Sequence, residues 1–191
     1  MGALHEGHAS LGTSSPLTLT HRVTSDLLYS KTVRKSLENN DLTVVSIFVN
    51  PAQFAPHEDL TSYPRTLPHD LDVLRSLSAT THSSTPRKPN AVFLPSVHDM
   101  YPSGISQDVN AQKGTFVEVK GFSHQMEGTT RPTFFRGVAT VVTKLFNIIE
   151  PTRAYFGQKD IQQALLLKRL TQDLLMAHPL PENLVIVPTV R

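Results

Sequence analysis

Residues 42–49 read LTVVSIFV and are followed at once by Asn50-Pro51. An apolar run of this length, rich in β-branched residues, is typical of a strand buried on both faces, as the inner strands of a parallel sheet are. The asparagine–proline pair ends the run, because both residues favour a reversal of the chain. The segment therefore predicts an inner strand of a parallel sheet.

Shorter strand patterns and helical patterns alternate along the rest of the chain. Strands are predicted at residues 91–94, 115–119, 153–156 and 184–187, each bounded by Pro, Gly or Asn. Helices are predicted at residues 25–39, 70–78, 137–150 and 159–176, where apolar residues recur every three or four positions. This alternation predicts an α/β fold with a parallel sheet and right-handed crossovers. Residues 12–24 and 79–90 are predicted to be surface loops.

The composition limits the class of protein. The chain has 191 residues, a formal net charge of +2 and no cysteine. Its length fits one domain, residues 1–191, and the near-balanced charge does not indicate a nucleic-acid partner. The lack of cysteine excludes a thiolate nucleophile and a metal site with sulfur ligands, and no apolar run reaches the length of about 18 residues that spans a membrane. We expect a soluble, cytoplasmic protein without a membrane partner.

Ligands of open α/β sheets gather at the carboxyl ends of the strands, so the segments that follow strands are the first candidates for a site. At the start of the chain, residues 1–8 read MGALHEGH and place His5 and His8 on either side of Gly7. Two imidazoles and backbone N–H groups could face one phosphate chain here. A metal site is a weaker alternative, because the spacing is not HExxH and no third ligand is evident. A histidine pair can also be incidental.

A second segment, residues 156–160 (FGQKD), joins a predicted strand to a predicted helix. Lys159 would place a positive charge at the helix N-terminus, where free amides already favour an anion. Alternatively, Asp160 is an ordinary carboxylate of the first helical turn and Lys159 is a solvated surface residue. The following glutamines, Gln162 and Gln163, could also be surface residues.

The third segment, residues 49–54 (VNPAQF), leads from the buried strand into the expected cleft. The amides of Asn50 and Gln53 could bind a hydroxyl or a carboxylate of a small polar substrate. The alternative is that these residues only form a turn, which asparagine and proline favour.

Six segments, in order along the chain, resemble the pantothenate synthetase family, the pantoate–β-alanine ligases. They are MGALHEGH (1–8), VSIFVNPAQF (45–54), EDLTSYPRTL (58–67), MYP (100–102), RGVATVVTKLFNI (136–148) and FGQKDIQQ (156–163). The resemblance implies a Rossmann-like domain of the HxGH nucleotidylyltransferase type that binds ATP and pantoate. It also implies a homodimer and a reaction in which pantoate is adenylated, β-alanine displaces AMP, and pyrophosphate is released. Mg²⁺ would accompany ATP, held mostly by its phosphates.

The resemblance also implies roles for particular residues. His5, His8 and Lys159 would stabilise charge on the ATP phosphates and form the catalytic group. Asn50, Gln53 and Gln163 would bind the substrate, Gln53 near β-alanine as well as pantoate. The remaining ATP-binding positions would be Met1, Gly2, Gly7, Gly157, Asp160 and Val190.

Departures from the family pattern keep two alternatives open. A strand before Met1 and a small C-terminal lid domain are expected to be missing, so that residues 44–48 would have an unpaired edge and turnover would be weak or absent. Phe134 stands where relatives often have histidine, and Gln158 stands where glutamate is usual. The alternatives are a non-catalytic fragment that keeps the fold and dimer contacts, and another adenylyl-transferring enzyme of the same superfamily.

Overall fold

A computed structural model describes residues 17–20, 26–54, 67–80, 85–121, 134–158 and 161–188. Five parallel strands form one sheet in the order β3-β2-β1-β4-β5. The strands are β1 (Leu17–Thr20), β2 (Val44–Ile47), β3 (Ala91–Phe93), β4 (Ala154–Gly157) and β5 (Leu184–Val187). The helices are α1 (Asp26–Asn39), α2 (Leu67–Ser76), α3 (Val97–Met100), α4 (Phe134–Ile149) and α5 (Ile161–Asp173). Short 3₁₀ turns occupy Pro51–Gln53, Val109–Ala111 and Pro181–Asn183.

The centre of the sheet corrects two expectations. The predicted loop 12–24 contains β1, which pairs with β2 along its whole length and with β4 at Leu17 and Thr18. The sequence Leu-Thr-Leu-Thr alternates apolar and β-branched polar residues, which is a strand pattern that the surrounding serines and threonines conceal. Because β1 fills the central position, β2 has a partner on both sides. The expected unpaired edge at residues 44–48 is therefore wrong.

A third expectation, the strand at residues 115–119, is also wrong. The segment runs beside α4, where Val117 N donates to Thr140 Oγ1 at 2.9 Å and Thr140 Oγ1 donates to Val117 O at 3.4 Å. Val119 is buried in the core that includes α4. The strand-like alternation of this segment thus reflects packing against a helix, and a buried threonine on that helix provides the hydrogen bonds that a neighbouring strand would have provided.

The other predicted elements are confirmed with shifted ends. The predicted strands 42–49, 91–94 and 153–156 correspond to β2, β3 and β4, and 184–187 is β5 without change. The predicted helices correspond to α1, α2, α4 and α5, and α4 begins earlier than residue 137 because Phe134 and Phe135 already belong to it. The loop 79–90 is closed by a pair of backbone hydrogen bonds between Ala79 and Arg87, at 3.0 and 2.9 Å.

Helices cover both faces of the sheet. Val44 of β2 packs into a core formed mainly with α4 and α5, whereas its neighbour Val45 packs with Val33 and Leu37 of α1 and Leu74 of α2. Successive residues of a strand point to opposite faces, so this division places one hydrophobic core on each side of the sheet. Among the described residues, no helix is long and apolar enough to cross a membrane.

The amino edge of the sheet is cross-linked to the end of α1. Arg153 Nη1 donates to the carbonyl of Asn39 at 3.0 Å, and Arg87 Nη1 donates to the carbonyl of Asn40 at 3.0 Å. The Asn40 Nδ2 group donates to the buried Tyr155 hydroxyl at 2.6 Å. The two guanidinium groups satisfy carbonyls that a helix end otherwise leaves without partners. The amino edge of the sheet therefore stabilises the fold, and the carboxyl edge is where a ligand site should be sought.

Candidate functional site

The carboxyl ends of all five strands lie along one edge, because every strand pair is parallel. In the sheet, β2 and β3 lie on one side of β1, and β4 and β5 lie on the other. The strand order reverses between β1 and β4, and ligands of open α/β sheets bind in the crevice at such a point. Asn50 lies in the segment after β2, and Gly157 is the last residue of β4; these are the two strands that flank β1. The fold thus brings the second and third predicted segments to neighbouring positions on one edge.

Asn50 holds the turn that follows β2. Its side chain is 1% exposed and accepts hydrogen bonds at Oδ1 from Ala52 N at 3.2 Å and from the Tyr101 hydroxyl at 2.7 Å. Its Nδ2 donates to Gly137 O at 3.1 Å. A carboxamide has two donor hydrogens, so one remains that these described partners do not use. Asn50 therefore forms a turn, which was the alternative considered from the sequence. Its role in substrate binding stays a prediction, and the substrate would accept the remaining Nδ2 hydrogen.

Gly137, which sequence reasoning did not single out, lets helix α4 approach this turn closely. A Cβ at this position would lie 2.5 Å from Ala52 O and 3.0 Å from Gln53 Cγ. No side chain other than hydrogen fits such an approach. The predicted helix 137–150 starts at this glycine, but in the structure Gly137 lies inside α4, where a glycine usually has a packing or functional reason.

Gln53, the last residue of the turn, is the predicted substrate ligand with an unused polar atom. Its side chain is 4% exposed, and no described group donates a hydrogen bond to its buried Oε1. Leaving a buried acceptor unsatisfied costs about 1–3 kcal/mol, so native structures seldom do so without a reason. The Oε1 atom therefore marks a place for a hydroxyl or N–H donor that the described residues do not supply.

The short helix α3 positions Tyr101. Ser96 and Asp99 form a capping box, in which Asp99 N donates to Ser96 Oγ at 3.2 Å and Ser96 N donates to an Asp99 carboxylate oxygen at 2.8 Å. Hydrogen bonds from Ser96 hold the pKa of the Asp99 carboxyl below its usual value. Tyr101 follows the helix and is 3% exposed. Burial raises the pKa of its phenol, so the hydroxyl stays protonated and donates to Asn50.

Lys144 of α4 lies against the end of α3. Its Nζ donates to the Met100 carbonyl at 2.6 Å and lies 4.1 Å from the centroid of the Tyr101 ring. Burial lowers the pKa of this lysine. The segments that contain Tyr101 and Lys144 stood out in the sequence only through the family resemblance, and neither residue was predicted to belong to the site.

On the other side of β1, Gly157 is the last residue of β4 and pairs with Val187 of β5. Helix α5 begins at Ile161, and Gln163 lies in its first turn with its side chain 8% exposed. Gln163 is thus a buried amide and not a surface residue. The exposed Gln158 follows Gly157 directly.

Phe134, the departure from the family pattern, opens α4 and is half-buried. It packs against the core that includes α4, and its ring meets that of Phe135 edge to face, with 5.3 Å between centroids. These contacts indicate that Phe134 has a packing role, in contrast to the polar role that a histidine at this position could have.

The other predicted site residues lie outside the described residues. They are Met1, Gly2, His5, Gly7, His8, Lys159, Asp160 and Val190. Within the described part of the chain, no three His, Asp or Glu side chains are grouped so that they could hold a metal ion.

Known proteins of one family match this chain along most of its length. The family model for pantoate-beta-alanine ligase matches residues 29–191. A pantoate–β-alanine ligase of Saccharomyces cerevisiae is 50% identical over 174 residues, which are 91% of this chain and 46% of that protein. A pantothenate synthetase of Roseiflexus castenholzii is 44% identical over 191 residues, covering 100% of this chain and 53% of its own length. The chain thus spans about half the length of the curated relatives it matches.

Solved structures of the same family are also similar to this chain. The crystal structure of pantothenate synthetase from Thermus thermophilus is similar with a TM-score of 0.76 and 34% identity, and covers 98% of this chain and 60% of its own. Pantoate-beta-alanine ligase from Francisella tularensis, complexed with beta-gamma ATP and beta-alanine, is similar with a TM-score of 0.77 and 31% identity, over 98% of this chain and 64% of its own. Both likenesses confirm the Rossmann-like α/β fold expected from the sequence.

Proposed function

This chain belongs to the pantoate–β-alanine ligase family, and we propose that the carboxyl edge of its sheet binds pantoate and ATP for the ligation of pantoate to β-alanine. In the first step, a pantoate carboxylate oxygen attacks the α-phosphorus of ATP and pyrophosphate leaves. In the second, the amine of β-alanine attacks the acyl carbon of the pantoyl-adenylate, and AMP leaves. Neither step needs a nucleophile from the protein, so alignment and charge stabilisation are the protein's contribution.

The unsatisfied Oε1 of Gln53 is the observation that supports pantoate binding most directly. Pantoate carries two hydroxyl groups and a carboxylate. A hydroxyl can donate to Oε1, and the Nε2 group of the same amide can donate to a carboxylate oxygen. Because Gln53 is neutral, it can bind the carboxylate without weakening it as a nucleophile through a salt bridge. Gln163, buried in the first turn of α5, is the second amide proposed to bind pantoate.

The ATP-binding part of the proposal rests on the segment after β4. Gly157 ends this strand beside the switch point, and α5 begins four residues later, so the N-terminus of a helix, which favours anions, follows the strand closely. Lys159 and Asp160 in this segment, together with Met1, Gly2, His5, Gly7, His8 and Val190, are proposed to contact ATP on the strength of the family motifs. The Francisella tularensis relative is complexed with beta-gamma ATP and beta-alanine, which supports ATP as the ligand but does not bear on the individual residues.

The finer properties of the family accompany this proposal. Mg²⁺ is proposed to enter with ATP, coordinated mostly by phosphate oxygens. A homodimer, a cytoplasmic location and a single ATP- and pantoate-binding domain over residues 1–191 are proposed from the resemblance. The oligomeric state can be measured by sedimentation equilibrium on the purified chain.

Calorimetric titration of the chain with pantoate, and separately with Mg²⁺-ATP, tests the assignment of the two glutamines. Gln53→Ala and Gln163→Ala each remove one buried amide, and a loss of about 1–3 kcal/mol corresponds to a roughly 5- to 150-fold weaker pantoate affinity. ATP affinity should stay within about twofold of the unmodified chain. Gln172→Ala, an exposed glutamine on the same helix as Gln163, is the matched control and should change neither. Equal weakening of both ligands would show that the glutamines act through the fold and not through pantoate.

A further inference from the structure

A continuous set of contacts leads from the middle of α4 to the turn that carries Gln53. It begins at Lys144, whose Nζ donates to the Met100 carbonyl at 2.6 Å and lies 4.1 Å from the centroid of the Tyr101 ring. The ammonium therefore contacts both the end of α3 and the face of the aromatic ring that follows it. A cation in this place restrains the ring, because the negative face of an aromatic ring attracts positive charge.

The second part of the path is formed by Tyr101 and Asn50. The Tyr101 hydroxyl donates to Asn50 Oδ1 at 2.7 Å, and both side chains are buried. The same Oδ1 accepts the N–H of Ala52 at 3.2 Å. Rotation of the Asn50 amide would break both hydrogen bonds together. The orientation of Tyr101 therefore fixes the orientation of Asn50, and Asn50 fixes the turn one residue before Gln53.

We propose that Lys144 is a positioning residue for pantoate: through Tyr101 and Asn50 it holds the turn in the conformation that presents the Gln53 amide to the substrate. This inference rests on the proposed function of Gln53. Lys144 itself does not touch the substrate in this proposal. The contacts place its charge on α3 and Tyr101, one layer behind the turn.

The partial burial of Lys144 favours a role beyond simple packing. Desolvation lowers the pKa of its amine, which means that the position disfavours the charged form. An apolar residue of similar length would fill the same space without that cost. The ammonium makes two favourable contacts at once, as it donates to a carbonyl oxygen and lies over an aromatic face.

The first test measures pantoate affinity by calorimetry for the unmodified chain and four variants. Lys144→Met keeps the length of the side chain and removes the charge, and it should weaken pantoate binding by about tenfold or more, since a hydrogen bond from a charged group is lost. Lys144→Arg should restore most of the affinity, because it keeps the charge. Tyr101→Phe should weaken pantoate binding as Lys144→Met does. Lys168→Met, at an exposed position of α5, is the control and should have no effect.

ATP affinity and the thermal midpoint separate positioning from general destabilisation. If Lys144 only stabilises the fold, Lys144→Met should lower the thermal midpoint but leave the pantoate affinity of the folded protein within about twofold of the unmodified chain. That result would overturn the proposal. A selective loss of pantoate affinity, with ATP affinity unchanged and rescue by arginine, would support it. If Lys144→Met does not fold, Tyr101→Phe, which removes one oxygen atom, carries the same test.

A second measurement does not depend on pantoate and separates this proposal from the proposed function. Amide hydrogen exchange followed by NMR reports on the N–H groups of Ala52 and Gln53, which donate to Asn50 Oδ1 and Asn50 O. Lys144→Met should speed exchange at both amides, whether or not the chain binds pantoate. Unchanged exchange at both would refute the link between Lys144 and the turn. Failure of the unmodified chain to bind pantoate would instead count against the proposed function alone.

Discussion

Replacement of Gly137 by alanine tests whether the close approach of α4 to the turn determines the site. A Cβ at this position would lie 2.5 Å from Ala52 O, and ordinary contact begins at 3.4 Å, so the helix and the turn must separate by about 0.9 Å. The atom that the methyl group meets is backbone, which cannot rotate away. The hydrogen bond from Asn50 Nδ2 to Gly137 O, now 3.1 Å long, would then stretch beyond hydrogen-bonding distance.

Opposing effects set the size of the change in stability. Alanine in a helix interior is favoured over glycine by about 1 kcal/mol. Overpacking costs about 1–3 kcal/mol, and the stretched hydrogen bond costs a further ~0.5–1.5 kcal/mol. The net expectation is a loss of about 0.5–3.5 kcal/mol in the free energy of unfolding. Because the turn that moves carries Gln53, pantoate affinity should fall by about tenfold or more as well.

Urea unfolding and pantoate titration of Gly137→Ala measure the two effects. Asn147→Ala, at an exposed position of the same helix, raises helix propensity without approaching the turn and should leave pantoate affinity unchanged. A Gly137→Ala protein that is as stable as the unmodified chain or more stable, and that binds pantoate equally well, would refute the reasoning. It would mean that the turn can shift by this distance without loss.

Three further predictions concern other parts of the fold. Burial raises the pKa of Tyr101, so the folded state keeps a proton that the unfolded chain releases near pH ~10; stability should fall as the pH rises above that value. Tyr101→Phe should reduce this loss of stability, measured by urea unfolding between about pH 8 and 11. The lowered pKa of Lys144 makes stability rise with pH instead, and it does so in both proteins. Arg153→Met removes the guanidinium that binds Asn39 O and should cost about 0.5–1.5 kcal/mol without weakening pantoate; a pantoate defect would contradict the division between the two edges. Phe134→His should lose about 1–2 kcal/mol of stability, because this half-buried ring packs against the core, and a gain in pantoate affinity at unchanged stability would instead place the ring in the site.

The sequence predicted the parallel sheet well where the pattern was local. The run at 42–49 and the alternation of strands with helices identify the fold class, because buried parallel strands must be apolar on both faces. The central strand β1 was missed, since four residues of Leu-Thr-Leu-Thr among serines and threonines look like a loop when composition is weighed over a longer window. The strand predicted at residues 115–119 was wrong for the opposite reason. Their alternation is real, but the partner is Thr140 on a helix, and only tertiary contacts could show this.

For the site, the sequence could identify residue types but not their separate tasks. It grouped Asn50 and Gln53 as two substrate amides, whereas the described contacts engage Asn50 three times within the protein and leave Gln53 Oε1 without a donor. That distinction depends on Gly137 and Tyr101, which lie far away in the chain. No local pattern connects them to the turn, so their part in the site became visible only once the sheet and α4 were in place.

The two edges of the sheet differ in how their buried polar groups are satisfied, and this difference supports the location of the site. At the amino edge, the Asn40 side chain donates to Ser36 O and to the Tyr155 hydroxyl, while Arg153 binds the last carbonyl of α1 and Arg87 binds the carbonyl of Asn40. At the carboxyl edge, a turn that is likewise fixed by hydrogen bonds holds a buried acceptor that no described residue meets. Pairing Gln53 Oε1, which has no donor among the described residues, would remove a cost of about 1–3 kcal/mol. Gln53 Oε1 has no donor among the described residues, and in the proposed function a ligand supplies the missing hydrogen.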